Sequence, residues 1–177
     1  MTAWTIVGSP VDPLLLAARS DPQHSVGAGV EATLTGVWFS PHKGLEQAVR
    51  TGRPDWHEDE DHPTLAAARR QLAEYFAGDR RTFDLPLDPA GTAFQQRVWL
   101  RLRAIPYGRT VSYGCIAAEL GLAPGASRAV GLANGANPIS IVVPCHRVVG
   151  ADGSLTGFGG GLDRKRYLLD LESELLF

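Results

Sequence analysis

Residues 83–99 read FDLPLDPAGTAFQQRVW, and the stretch changes character halfway along. Each of its two prolines keeps the residue before it out of the helical region, so 83–91 predicts an extended connector. Thr92 and Gln95 then stand at the T-x-x-Q spacing of a capping box, which marks a helix start. Phe94, Val98, Leu102 and Ile105 follow as one apolar helical stripe, and Pro106 stops it. A connector ending on a helix start places a domain boundary near residue 88, giving domains 1–88 and 89–177.

Upstream, TAWTIV and LLLAA flank the turn-rich GSPVDP and predict a hairpin. ATLTGVWFS, residues 32–40, is a further strand with apolar Leu34, Val37 and Phe39. Residues 40–63, including HEDEDH, predict mostly loop. His57 and His62 flank acids there, but at no metal-ligand spacing, and no metal is expected. From Thr64, TLAAARRQLAEYFAG puts Leu65, Ala68, Leu72, Tyr75 and Phe76 on one helical face and ends at Gly78. The first domain is therefore α/β, a small sheet plus a helix.

Downstream of Pro106 the pattern is helical. Ser112–Leu120 predicts a short helix capped by Ser112 and closed by Gly121, and Ser127–Gly135 a second one opened by Ser127. Two helices around a Gly/Pro turn have the outline of a helix-turn-helix. The second helix, in GASRAVGLANGAN, is built from small residues around a lone cation, Arg128. A cation in a first turn opposes the helix dipole and calls for a partner, either an acid within the fold or something outside it. ISIVV, residues 139–143, predicts a short buried strand, and Pro144 leads out of it to Cys145 and His146.

A free cysteine is commonly a small buried hydrophobe, and Cys115, inside the apolar YGCIAAEL, reads that way. Cys145 differs by its neighbour. Adjacent residues of an extended chain point to opposite faces, so Cys145 and His146 cannot simply touch. A histidine acting through an ordered water could still take the thiol proton, with a carboxylate orienting the ring.

Composition sets the outer bounds. The 177 residues, 44% hydrophobic, suit one ordinary domain or two small ones. No apolar run is long enough to span a membrane, and the N-terminus has no signal-peptide pattern. Two cysteines fit a reduced, cytoplasmic protein. The net charge of −2 hides an asymmetry: residues 1–88 hold 8 Lys and Arg against 13 Asp and Glu, whereas 89–177 hold 9 against 6. This places any basic surface in the second half, unless the excess is scatter among solvated charges.

GTAFQQRVW, IPYGRTVSYG, RAVGLAN, the NP at 137–138, VPCHRV, a glycine-rich segment and LLDLE occur in one order. Over residues 64–177 this series resembles the O6-alkylguanine-DNA alkyltransferase, or methylated-DNA–protein-cysteine methyltransferase, family. The resemblance is looser around the first hairpin and Trp38. It implies a ribonuclease-H-like first domain and a mostly α-helical, winged-helix-like second domain with the helix-turn-helix. The activity implied is DNA repair by stoichiometric transfer of the alkyl group of O6-alkylguanine, and of O4-alkylthymine, to Cys145. In the implied roles His146 is the base acting through water, Glu172 orients it, Tyr113 supplies a proton, and Asn137 is a hinge before the acceptor segment.

The same resemblance places Arg128 in the base stack after the damaged nucleotide rotates out, with Ala126, Ser127, Ala129 and Tyr113 also on the DNA. Asn134, Ser140, Val148, Phe158, Gly159 and Gly160 would line the pocket. The implied partner is alkylated double-stranded DNA, bound in the minor groove by a monomer, with no cofactor and no membrane. Some relatives bind zinc through cysteines in the first domain; residues 1–88 here have none. The family often carries a hydroxylated residue and an aromatic in this loop, where this chain has Gly159 and Phe158, and the missing bulk at 159–161 suggests a roomier or more mobile pocket. Arg164-Lys165-Arg166 would face either phosphates or solvent, and solvent is the favoured reading. A non-catalytic alkyltransferase-like damage-binding protein is the alternative, though its cysteine is replaced in those relatives. A thiol hydrolase would need an oxyanion motif that is missing.

Overall fold

Thr2–Val7 (β1) and Leu14–Ser20 (β2) form an antiparallel hairpin in the computed structural model, which describes residues 1–20, 32–40 and 55–174. Ala32–Phe39 (β3) pairs antiparallel with β2, and the sheet order is β3-β2-β1-β4. The edge strand β4, Trp56–Glu58, runs parallel to β1. It corrects part of the loop expected over 40–63; residues 41–54 lie outside the described residues. Its backbone is held to β1, with Thr2 N–H donating to Asp55 O at 2.8 Å, while His57 and Glu58 are exposed. A strand held by its main chain leaves no apolar alternation to read.

The helix α1, Pro63–Ala77, packs on β1, β2 and β3 and buries Leu65, Ala68, Leu72 and Tyr75 of the predicted face, while Phe76 is half-buried. Gly78 closes it in the left-handed conformation at φ 84°. The buried Gln71 of α1 brackets the connector, donating to Asp84 O and accepting from Asp84 N–H, both at 2.8 Å. Leu34 N–H then donates to Pro86 O, and Asp88 N–H to Leu34 O, so the connector lies along β3. These contacts fall within the unit Met1–Pro89; the second unit is Ala90–Phe177.

The second unit starts with α2, Ala93–Arg103, whose capping box forms in both directions between Thr92 and Gln95. Val98, Leu102 and Ile105 are buried, and so is Trp99, whose indole N–H donates to Ala133 O at 2.8 Å. Val111–Ser112 (β5) pairs in parallel with Val148–Val149 (β6). Between them lie α3, Tyr113–Glu119, and α4, Ser127–Gly135. A 3-10 turn over Cys145–Arg147 precedes β6, and α5, Leu162–Glu174, closes the unit. No helix among the described residues is long and apolar enough to cross a membrane.

Four expectations are corrected. Residues 139–143 form no strand: the segment turns back on itself, with Val142 N–H donating to Ser140 O and Val143 N–H to Ile139 O. Its apolar composition reported burial, not extension. Ser127 does not cap α4; the N-cap is Ala126, with no side-chain bond to the helix. Cys115 is exposed, because the buried residues of α3 are Tyr113, Ile116 and Ala117. Lys165 is fully buried, not solvated.

The capping box yields a direct test. Thr92→Ala should lower stability by about 1 kcal/mol, read as a shift in the urea midpoint of the full chain at unchanged slope.

Candidate functional site

The turn that presents Cys145 is shaped by the side chain of Asn137. Asn137 Oδ1 accepts from Ile139 N–H at 3.0 Å, and Asn137 Nδ2 donates to Val143 O at 2.8 Å and to Cys145 Sγ at 3.0 Å. Within the turn Ile141 takes φ 70°, a conformation that β-branched residues rarely adopt and that costs of order 1–3 kcal/mol. The sequence gives no hint of this strain. Asn134, buried on α4, donates to Cys145 O at 3.2 Å and to Gly157 O at 3.4 Å. Cys145 is buried, and burial pushes its thiol up to about 11 despite the Asn137 bond and the nearby Lys165 charge.

His146 and Glu172 are brought together, both buried, with His146 Nε2 2.7 Å from Glu172 Oε1. Arg147 adds a fork: its Nε lies 2.9 Å from Glu172 Oε2 and its Nη2 2.9 Å from Oε1. Its Nη1 donates to Ile105 O at 2.7 Å, and Gly108 N–H donates to Glu172 Oε2 at 3.1 Å. Burial alone would raise the Glu172 carboxyl, but His146 and Arg147 outweigh it and hold the group well below the usual carboxylate range. Burial lowers His146 more than the Glu172 bond raises it, and the Arg147 and Lys165 charges lower it further. The imidazole therefore rests neutral. With Nε2–H directed at the carboxylate, Nδ1 carries the free lone pair, and it is buried with no partner among the described residues.

Tyr113 is the first residue of α3, positioned by Ser112, whose hydroxyl accepts from Cys115 N–H at 3.1 Å. Its hydroxyl donates to Thr156 O at 2.5 Å, and burial raises its pKa. Lys165 donates to Val148 O at 2.5 Å, to Thr156 O at 2.7 Å and to the Tyr113 hydroxyl at 3.4 Å. Its Nζ lies 6.0 Å from the Phe158 ring centre. Burial lowers its pKa to about 8, against a smaller opposing effect of Cys145. Lys165 and Arg147 are residues that sequence reasoning missed. Lys165 could have been found: with the buried Leu168 and Glu172 it shares one helical face of α5.

The loop reaches α4 and Tyr113 through glycines. A Cβ on Gly159 would meet Gly135 O at 2.7 Å, and one on Gly157, at φ 65°, would meet the Tyr113 hydroxyl at 2.7 Å. Missing bulk at 159 thus lets the loop close onto the helix end rather than opening space. Phe158, Val148 and Ser140 are buried, and Gly160 is partly so. Arg128 is exposed with no ion pair or hydrogen bond among the described residues, and Ser127 and Ala129 beside it are exposed. The interior-acid reading of Arg128 thus finds no support among them. No group of metal-ligating side chains occurs among the described residues. The chemistry on offer is a buried thiol with a donor on its sulfur, beside a neutral imidazole, a phenol and an ammonium.

Comparison with known proteins adds the following. Residues 93–174 match the DNA-binding domain, and 28–89 the ribonuclease-like domain, of 6-O-methylguanine DNA methyltransferase. The methylated-DNA–protein-cysteine methyltransferase of Mycobacterium tuberculosis is 49% identical over 172 residues, covering 97% of this chain and 93% of its own. That of Methanosarcina acetivorans is 48% identical over 170 residues, covering 96% and 97%. Among solved structures, Mycobacterium tuberculosis OGT in complex with DNA matches with a TM-score of 0.78 at 47% identity, over 98% of this chain and 94% of that one. With such identity over nearly its whole length, the chain belongs to the methylated-DNA–protein-cysteine methyltransferase family.

Proposed function

We propose that this protein repairs DNA by direct, single-turnover transfer of an alkyl group from the O6 of guanine, and from the O4 of thymine, to Cys145. The observation that carries the reading is the buried thiol of Cys145, held by Asn137 beside the His146–Glu172 pair. A thiol held near 11 is almost wholly protonated at pH 7, roughly one part in ten thousand ionised. It therefore needs a base during the reaction, and the neutral His146 supplies one through an ordered water. Sulfur attacks the alkyl carbon, the carbon–O6 bond breaks, and its electron pair stays on the guanine. The Tyr113 hydroxyl delivers a proton to the ring so that the leaving base is neutral, and the thiol proton, taken up by His146 through its water, replaces the one Tyr113 gave up. Asn137 N–H stabilises the developing thiolate. The product is a thioether without a good leaving group, so each molecule acts once.

The alkyl group is out of reach in a stacked duplex, so the base is rotated into the pocket at a cost of a few kcal/mol. Residues 89–177 form the DNA-binding and alkyl-acceptor domain, in which α3 and α4 act as a winged-helix-like helix-turn-helix. The exposed face of α4 carries Arg128, Leu132 and Gly135 at helical spacing, with the half-buried Gly131 beside them, and small residues suit close approach to a minor groove. Arg128 fills the gap in the stack. Asn134, Ser140, Val148, Phe158, Gly159 and Gly160 bound the pocket. The protein acts as a monomer, in the cytoplasm.

The deciding experiment mixes the protein with duplex DNA containing O6-methylguanine and maps the methyl by mass spectrometry. One methyl per chain is expected on the peptide containing Cys145, and none with Cys145→Ser; continued turnover, or methyl on Cys115, would overturn the reading. Arg128→Ala should slow repair in duplex at least about tenfold yet leave reaction with free O6-benzylguanine within about twofold, since the wedge acts only on a stack. Labelling of Cys145 by a neutral haloacetamide should rise about tenfold per pH unit from 7 to 10, the slope of a thiol still protonated. A plateau below pH 9 would contradict the burial argument.

A further inference from the structure

The base role given to His146 leaves the buried Arg147 without a part, although it makes more bonds to Glu172 than the histidine does. We infer that Arg147 is a positioning residue whose guanidinium balances the Glu172 carboxylate, so that His146 stays neutral with its Nδ1 lone pair free to accept a proton. The inference rests on the reading of His146 as base and assigns what that reading requires.

In a dry site the balance of charge decides where protons sit. A buried carboxylate draws a compensating proton unless a cation stands beside it. Among the described residues, the Arg147 fork stands at 2.9 Å from each oxygen of Glu172 and the imidazole at 2.7 Å. Arginine is charged at every working pH, so it meets the need permanently and the histidine is spared. Without Arg147 the extra proton has two places to go. On the imidazole it gives a cation with N–H at both nitrogens. On the carboxyl it gives an O–H donating to Nε2, which moves the ring proton to Nδ1. Either way Nδ1 becomes an N–H donor and can no longer accept the thiol proton. The orphaned, buried Nδ1 is thus explained as the working lone pair.

The groups facing His146 are few. Glu172 and Lys165 come from α5, and Arg147 and Cys145 flank it in its own turn. The buried residues of α2, which also packs on this turn, are Val98, Trp99 and Leu102, none of them ionisable. Lys165 already donates to Val148 O and Thr156 O, and makes no bond to Glu172 that could replace the fork.

The test is 15N NMR of histidine-labelled full-length protein at pH 7, paired with single-turnover methyl transfer. Wild type should show an unprotonated, pyridine-type Nδ1 at His146; a protonated Nδ1 there overturns the inference without any variant. Arg147→Met should protonate Nδ1 and slow transfer at pH 7 at least about tenfold, the extent expected for loss of general-base catalysis or more. Arg147→Lys keeps one charge and should retain the wild-type nitrogen signal and recover most of the rate. Should Arg147→Met fail to fold, Arg147→Lys together with wild type still decides, since protonation of Nδ1 in either overturns the inference. An unprotonated Nδ1 in a folded Arg147→Met would mean that the arginine only braces the turn. A protonated Nδ1 with an unaltered transfer rate would instead overturn the base role of His146.

Discussion

Much of the site hangs on one carboxylate. Glu172 is the point where three separately built pieces of chain meet: α5, the 3-10 turn with His146 and Arg147, and the 105–108 segment through Gly108 N–H. A carboxylate offers about four lone-pair directions, and here His146, the Arg147 fork and the Gly108 amide fill them. Such saturation is what makes a buried charge tolerable, since an unpaired one would cost several kcal/mol. The turn that presents the cysteine is therefore referenced to the C-terminal helix. The position of His146 is a property of the whole second unit, not of the five residues around it.

Much of this was legible in the sequence, for identifiable reasons. The capping box at Thr92, the glycine end at Gly78 and the stripe of α1 are local rules, and the chain obeys them. The pairing of His146 with Glu172 was legible only through the family's motif order, because 26 residues separate partners that no periodicity connects. What escaped had physical grounds too. A run such as ISIVV is equally apolar as a strand or as a buried turn, and a side chain from outside the run, Asn137, makes it a turn. Lys165 looked solvated between two arginines because charge normally outweighs helical phase. Two carbonyls and a phenol waiting inside reversed that, and carbonyls leave no mark in a sequence.

The two cysteines show how burial divides chemistry between identical side chains. Cys115 lies on the exposed face of a short helix, while Cys145 is enclosed with its sulfur already accepting a hydrogen bond. A small electrophile in solution meets the first far more readily. The second is covered, and it is activated only where its proton has somewhere to go. Selectivity here comes from keeping the thiol protonated and covered until the right partner arrives.

The contact between Gly159 and Gly135 has a consequence for how this protein can vary. A side chain of any size at 159 must displace a main-chain oxygen at the end of α4, since the available gap is 2.7 Å. A serine there is therefore not a single exchange that adds a hydroxyl to an otherwise unchanged pocket. It requires the loop, or the end of the helix that carries Arg128, to shift. The two positions are mechanically coupled, and a change at one will be accepted only on backgrounds where the other has already given way.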